Sequence, residues 1–336
     1  MISNKNSRCF LSSIFQISCQ EPLSDAWFDA PIIHKEKFVK SKEADTKEFL
    51  ASTEARRMSK ILKRAICTSL SALKKGKVDN PDAIITGTGM GCMENSEKFL
   101  IDMSKFGESC LKPTLFMQST HNTISSQIAI TLNCNGYNNT YSHKGISFES
   151  ALLDAYIQIQ GGLITNALVG AHDEMTPLMF QITSQIHPEY GFVSETSVSA
   201  LLTNEITETT ICEISEVKLL HRPEIEDLKS FFTDDNKTVY LLGLNGNIIN
   251  DKPYDKLLES VPFKPQIGIY KNIFGDNFSS SALAFYVSSK LIEKQALPPY
   301  LNLTNGNELA KTEIKTVVII NHSDDTTWSV VKLSKI

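Results

Sequence analysis

Asp82-Ala83-Ile84-Ile85-Thr86 runs directly into Gly87-Thr88-Gly89-Met90-Gly91, and the fold turns on how this stretch is read. A short apolar, β-branched run reads as a strand buried on both faces. A glycine turn behind such a strand is the usual junction to a helix in α/β proteins. Turns of this kind can cradle a phosphate on backbone N–H groups. The dinucleotide fingerprint, however, needs glycines spaced GxGxxG and an acidic residue about 20 positions on. Here the third glycine comes one residue early and no acid follows on a strand, so the turn reads as a tight corner at a sheet edge.

Upstream, Arg8 to Ser18 alternates and is rich in Phe and Ile, which predicts a strand. Ala55, Met58, Ile61, Leu62, Ala65, Ile66, Leu70 and Leu73 then recur at spacings of three and four, predicting a helix with Thr53 as its N-cap. The other face of this helix carries Arg56, Arg57, Lys60, Lys63, Arg64, Lys74 and Lys75. Two readings stand, a solvated face or a docking face for an acidic partner protein.

Downstream, residues 119–132 predict a helix with Ile124, Ile128 and Leu132 on one side, followed by a β-like segment at Asn139–Ser142. Ile146, Leu152, Leu153, Ala155, Tyr156 and Ile159 make the next helix apolar around much of its surface, hence buried, with Gly161 and Gly162 ending it. Ala167-Leu168-Val169-Gly170 is a further strand, running into Ala171-His172-Asp173-Glu174-Met175. The second half repeats the plan more thinly. Val198–Leu202 and Thr238–Leu242 read as strands, Ser281–Lys294 as a helix, and Thr316–Ile320 with Trp328–Leu333 as a closing hairpin. The alternation argues for an α/β fold with a mostly central sheet.

Composition narrows the function. The 336 residues are 41% apolar and 21% charged, a globular balance. Lys plus Arg is 33 against 38 Asp plus Glu, a net charge of −5, which argues against nucleic acid as the main partner. No run approaches the ~18 apolar residues of a membrane span. Lys5 and Arg8 before Cys9–Phe15 give a faint leader outline, but serines and Gln16 interrupt its apolar part. Seven scattered cysteines without CxxC or Cys/His clusters predict no zinc site and no disulfide framework, and the cytoplasm as compartment. His121, His172 and His322 have no metal-ligand spacing, so no metal site is expected. Glycine is scarce, 16 in all, which speaks against several tight oxyanion loops.

From Gly87 to Met175 the sequence resembles the β-ketoacyl synthase family, whose members have the thiolase fold. The likeness is carried by Gly87–Gly91, the helix start at Asn122–Gln127, the buried helix after Gly145, and Gly170-Ala171-His172-Asp173-Glu174-Met175. Weaker echoes follow at Gly191-Phe192-Val193 and at Lys271–Gly275. The resemblance implies two similar βαβ-containing halves in α-β-α-β-α layers, here 1–175 and a shortened 176–336. In this family a cysteine at a helix N-terminus attacks, and two histidines assist decarboxylation and stabilise the enolate. By the resemblance the cysteine position falls on Gly145. The first histidine falls in Gly243-Leu244-Asn245-Gly246-Asn247, at Leu244, and the second on Asp276. The glycine-rich closing loop is replaced by Asn321-His322-Ser323-Asp324-Asp325.

Members without the cysteine are chain length factors, which pair with an active ketosynthase and help form its acyl tunnel. The resemblance therefore implies a non-catalytic subunit of a type II polyketide system. Its partners would be a ketosynthase and an acyl carrier protein bearing a phosphopantetheine-tethered acyl chain, and it would need no cofactor of its own. Phe116, Thr120, Thr123 and Phe148 are candidate tunnel residues, with ordinary packing as the competing reading for each. Arg56, Arg57, Lys60, Lys63 and Arg64 are the candidate docking face. Phe116–Thr123 further resembles the aryl polyene branch. Two other expectations stand beside this one: an acyltransferase or hydrolase using Ser147 or His143, and a stand-alone acyl-chain-binding homodimer.

Overall fold

The computed structural model describes residues 7–108, 111–186, 191–304 and 313–336. Lys5 and Cys110 lie outside the described residues. In chain order the first part runs β1 (Phe10–Ile17), α1 (Ser52–Ala55), α2 (Lys60–Gly76), β2 (Ala83–Gly87), α3 (Met93–Phe106) and α4 (Pro113–Met117). It continues with α5 (Thr123–Leu132), β3 (Tyr137–Tyr141), α6 (Ser147–Gln160), β4 (Asn166–Asp173), α7 (Pro177–Ile186) and β5 (Thr196–Thr203). The second part runs β6 (Cys212–His221), α8 (Ile225–Lys229), β7 (Thr238–Leu242), α9 (Ile248–Ser260) and β8 (Gln266–Ile269). It closes with α10 (Lys271–Phe274), α11 (Ser280–Lys294), β9 (Thr316–Ser323) and β10 (Thr327–Ser334).

The strands lie in the order β3-β2-β4-β5-β1-β6-β10-β9-β7-β8. β1 meets β6 over only two residue pairs, Phe10 with Glu213 and Leu11 with Cys212, so two five-stranded sheets join at a corner. Each sheet has the same plan. β2 is parallel to β3 and β4, and β4 is antiparallel to β5. In the second sheet β7 is parallel to β8 and β9, and β9 is antiparallel to β10. The chain is thus a topological duplication whose halves meet between Thr203 and Cys212. The division after 175 falls earlier, because it separates β5 from the β4 and β1 that it bonds on either side.

Three buried clusters mark the layers. The largest lies between the sheets and contains Phe148 and Leu152 of α6 with Phe285 and Leu291 of α11. A second packs α2 and α5 on the outer face of the first sheet, and a third packs α8 and α9 on the outer face of the other. The result is α-β-α-β-α, as the resemblance implied. Thirteen of the fifteen residues of α11 are buried, which only a helix covered on both sides requires. Its serines are tolerated there because they bond inward, Ser288 Oγ to the Ala284 carbonyl at 2.7 Å for example. The Phe148 and Phe285 rings sit 5.4 Å apart across the central layer. Truncating either to Ala would cost about 3–5 kcal/mol.

Two expectations shift. The periodic run from Ala55 is split: α1 ends at Ala55, and Ser59, extended at ψ 167, is the N-cap of α2. Thr53 lies inside α1 and caps nothing, since apolar spacing continues across a break that periodicity does not detect. The two sheet edges also differ. The edge of β8 is covered, with Ile269 donating to the Leu301 carbonyl and Leu303 to the Ile267 carbonyl at 2.8 and 2.9 Å. Among the described residues no strand covers the outer edge of β3, which pairs only with β2.

Candidate functional site

Gly145 lies in a 3-10 turn, Lys144–Ile146, that feeds the N-terminus of α6. Three loops at the carboxyl ends of β7, β8 and β9 close on it. Asn321 of β9 donates its amide to the Gly145 carbonyl at 3.0 Å. Tyr254 of α9 bridges onward, its hydroxyl 3.5 Å from Asn321 Oδ1 and accepting the His322 amide at 3.2 Å. The loop Gly243–Asn247 reaches the same place, since a Cβ on Gly243 would lie 2.5 Å from the Tyr254 hydroxyl and 2.6 Å from Asn321 Oδ1. Asn245 of that loop donates to Asp276 at 2.7 Å, and Asp276 pairs with Lys271 at 2.9 Å. Val193 bridges to Asp276 as well, joining the two weaker echoes of the sequence. The positions that resemblance assigned to three separate segments therefore form one place in the fold.

The side chains at the three positions the resemblance assigned are as follows. Gly145 offers no side chain, Leu244 is half-buried and apolar, and Asp276 is held in an ion pair. Beneath them Glu149 is fully buried and accepts from Ser281, Ser329 and Asn321 at 2.8, 2.8 and 3.1 Å. Burial pushes its carboxyl above the ordinary range, with the three donors opposing. His322 is pushed below the ordinary imidazole range, first by burial, and its Nε2 lies 2.9 Å from the Asn250 carbonyl. Sequence reading missed Glu149, Asn245 and Lys271 as members of this network. A glutamate within a buried apolar helix was the available signal for the first.

Glycine at 145 is required neither by the backbone nor by space. Its φ is not left-handed, and a Cβ there would meet Ser323 Cβ and Oγ at 3.6 Å, an ordinary contact. Gly87 is the contrast. A Cβ on it would lie 2.5 Å from the Ser147 backbone, so β2 can approach α6 only through glycine.

Ser147 and His143 do not form a catalytic pair. The Ser147 hydroxyl is buried, accepts the His143 amide at 2.8 Å and has the Lys144 carbonyl at 2.7 Å. The His143 ring bonds Ser150 instead, at 3.2 Å. The turn Gly87–Gly91 holds a carboxylate belonging to the protein. Asp173 accepts from Thr88 Oγ1 at 2.8 Å, from the Gly89 and Met90 amides at 2.9 Å each, and from Ser279 Oγ at 2.5 Å. Its anion-binding capacity is thus consumed internally, in keeping with the tight-corner reading.

The other candidates separate into two regions. Phe116 is 59% exposed on α4, and Thr120 is exposed with its hydroxyl 2.9 Å from that of half-buried Thr123. Phe148 lies in the central core, away from that surface. Phe116 packs on Phe99 of α3, ring centres 5.4 Å apart, and Leu100, Ile101, Met103 and Phe106 of α3 and Met117 of α4 are exposed, as are Leu178, Ile182 and Ile186 of α7. Arg56, Arg57 and Lys60 are exposed and Lys63 is half-buried. Arg64 is a correction: it is 2% exposed and pairs with Glu195 and Glu43 at 3.2 Å each. It stands three residues from both Ile61 and Cys67, on the core side of α2, so it cannot belong to a docking face. Among the described residues no cluster could hold a metal ion, and no helix is long and apolar enough to cross a membrane.

Comparison with known proteins places these features. Residues 27–227 match the family described as β-ketoacyl synthase, N-terminal domain. A 149-residue stretch, 41% of this chain, is 29% identical to 3-oxoacyl-[acyl-carrier-protein] synthase 2 of Synechocystis sp., and spans 35% of that enzyme's length. A β-ketoacyl synthase from Burkholderia phymatum superposes with a TM-score of 0.80 at 13% identity, over 98% of this chain and 100% of that one. A ketosynthase in complex with its chain length factor from Xenorhabdus doucetiae gives 0.77 at 13% identity, over 98% of each chain. At such identities the structural likeness establishes the fold.

Proposed function

The chain belongs to the β-ketoacyl synthase family, and from that premise we propose that it is a non-catalytic subunit of the chain-length-factor kind. It pairs with a cysteine-bearing ketosynthase and shapes the space into which the acyl chain grows. The observation that carries this reading is the site around Gly145. Its frame is assembled from four segments, and at the positions the resemblance assigns to a cysteine and two histidines it carries Gly145, Leu244 and Asp276, although a side chain at 145 would fit.

Two further features favour a partner. Apolar side chains of α3 and α4 are exposed in the single chain, and β3 is an end strand that pairs only with β2 among the described residues. Phe116, Thr120 and Thr123 would meet the tunnel at that surface, and Phe148 would back it from the core. Arg56, Arg57, Lys60 and Lys63 would receive the acidic carrier protein that bears the phosphopantetheine-tethered chain. The chain itself supplies no cofactor. A narrower assignment to aryl polyene synthesis rests on Phe116–Thr123 alone, and a cytoplasmic location on cysteine usage alone.

The test is co-expression with an adjacent cysteine-bearing ketosynthase, read by co-purification and light scattering. A 1:1 complex that condenses only when both chains are present is expected, with Met117→Lys weakening assembly at least ten-fold. Condensing activity from this chain purified alone would sink the proposal.

A further inference from the structure

The α3 helix is tied to the body by a few polar contacts: Asn95 and Ser96 donate to the Gln118 and Ser119 carbonyls at 3.2 and 3.4 Å, and two carboxylates hold its amino-terminal half. Only Asn95 of its fourteen residues is buried, while Leu100, Ile101, Met103 and Phe106 face solvent. Near its amino end the Glu94 amide donates to Glu174 Oε1 at 2.8 Å. Glu174 follows β4 directly and is 4% exposed. A second tie, the Thr176 hydroxyl to Glu97, joins the same two segments. Between them lies a cavity of about 230 Å³.

The charges facing Glu174 come from every element around it. Arg64 faces it from α2, Glu94 from α3, and Glu195 from the segment before β5, while Lys40, Lys60, Glu97 and Lys98 line the cavity. Arg64 bonds Glu195 and Glu43, so Glu174 receives only its field. Glu195 is also held by Ser41, through its amide at 2.9 Å and hydroxyl at 3.1 Å, and cannot swing away to make room. Burial pushes the Glu174 carboxyl up to about 7; the Glu94 amide and Arg64 oppose this, and the Glu94 and Glu195 charges add to it.

We propose that Glu174 makes α3 a proton-controlled flap. With Glu174 protonated the carboxyl stays buried and α3 stays docked; once ionised, the carboxylate is relieved by releasing the helix into water. The docked state binds this proton more tightly than the open state, so the open fraction grows with pH, at most ten-fold per unit, and levels off above about 7. The consequence for partner binding rests on the function proposed above, because the exposed face of α3 adjoins Phe116 through Phe99, ring centres 5.4 Å apart. The flap itself needs no partner.

Hydrogen exchange on the full chain between pH 5.5 and 8.5, corrected for intrinsic rates, tests this. Protection of α3 is expected to fall by close to ten-fold per unit up to about pH 7 and then flatten, with α11 unchanged as the internal control. Glu174→Gln keeps a carbonyl for the Glu94 amide and removes the charge, so its α3 protection should be independent of pH. A flat wild-type profile, or a slope that survives Glu174→Gln, overturns the proposal. The wild-type profile decides by itself should the variant fold poorly, and the absence of a ketosynthase partner would leave that profile untouched.

Discussion

Placing a side chain at residue 145 probes whether glycine there is a choice of residue or a demand of the fold. A Cβ there would sit 3.6 Å from Ser323 Cβ and Oγ and 3.9 Å from the His322 carbonyl, all ordinary van der Waals contacts. With a compatible φ, Gly145→Ala should therefore gain about 0.4–1 kcal/mol by restricting the unfolded chain. For a chain of this length that is a Tm rise of about 1 °C. Gly145→Cys would place a thiol just ahead of the amino end of α6, where the helix dipole lowers its pKa below the ~8.5 of a free thiol. Five native thiols should label slowly, because burial raises Cys19 to about 11 and Cys67 and Cys92 to about 12, and pushes Cys9 and Cys212 higher still; half-buried Cys134 is removed by Cys134→Ser and Cys110 by Cys110→Ser in the background used. Iodoacetamide at pH 7 with peptide mapping should modify the introduced thiol first in the folded protein. The reasoning fails if Gly145→Ala loses about 2 kcal/mol or more, well outside that gain, or if the new thiol reacts only in denaturant. Under the function proposed above condensing activity should not return, since by the resemblance Leu244 and Asp276 occupy the family's histidine positions.

Other substitutions separate structural charges from surface ones. Arg64→Ala strands Glu195, which is 3% exposed, and should cost about 3–5 kcal/mol in urea unfolding. Arg57→Ala should stay within about 0.5 kcal/mol of wild type, and equal losses for the two would refute the correction made for Arg64. Asp173→Asn turns an amide toward donors of the Gly87–Gly91 corner and should cost about 2–3 kcal/mol; a neutral result would mean the corner does not need its carboxylate. Burial pushes His172 down to about 3, so between pH 6.5 and 3 the unfolded chain takes up a proton that the folded one refuses. Stability relative to His172→Gln should then fall with acid by up to about 1.4 kcal/mol per unit, and parallel curves would contradict it.

Much of the first half was legible because its strands are buried on both faces. Ala83–Gly87 and Asn166–Asp173 have no alternation to confuse, and α6 is apolar around its circumference. β6 was missed for the opposite reason: Glu213, Glu216 and Lys218 break its pattern at a half-exposed position. α3 was missed because it buries one side chain, leaving no apolar stripe directed at this chain's own core. The site was legible only through resemblance. Asn245, Lys271, Asp276 and Asn321 are far apart in sequence and meet because equivalent loops end at one side of the second sheet. Arg64 misled for a geometric reason, since its charge suggested a surface that its helical angle denies.

The unequal sheet edges bear on how many strands the chain could accept. A protein with two bare edges can add subunits at both ends and grow into a fibre, the hazard that unprotected strands carry. Here the strip around Leu301 and Leu303 occupies one end of the pair of sheets, and among the described residues only β3 is left to accept a strand. If the partner proposed above docks by edge pairing, that pairing has a valence of one, and a single addition uses it up.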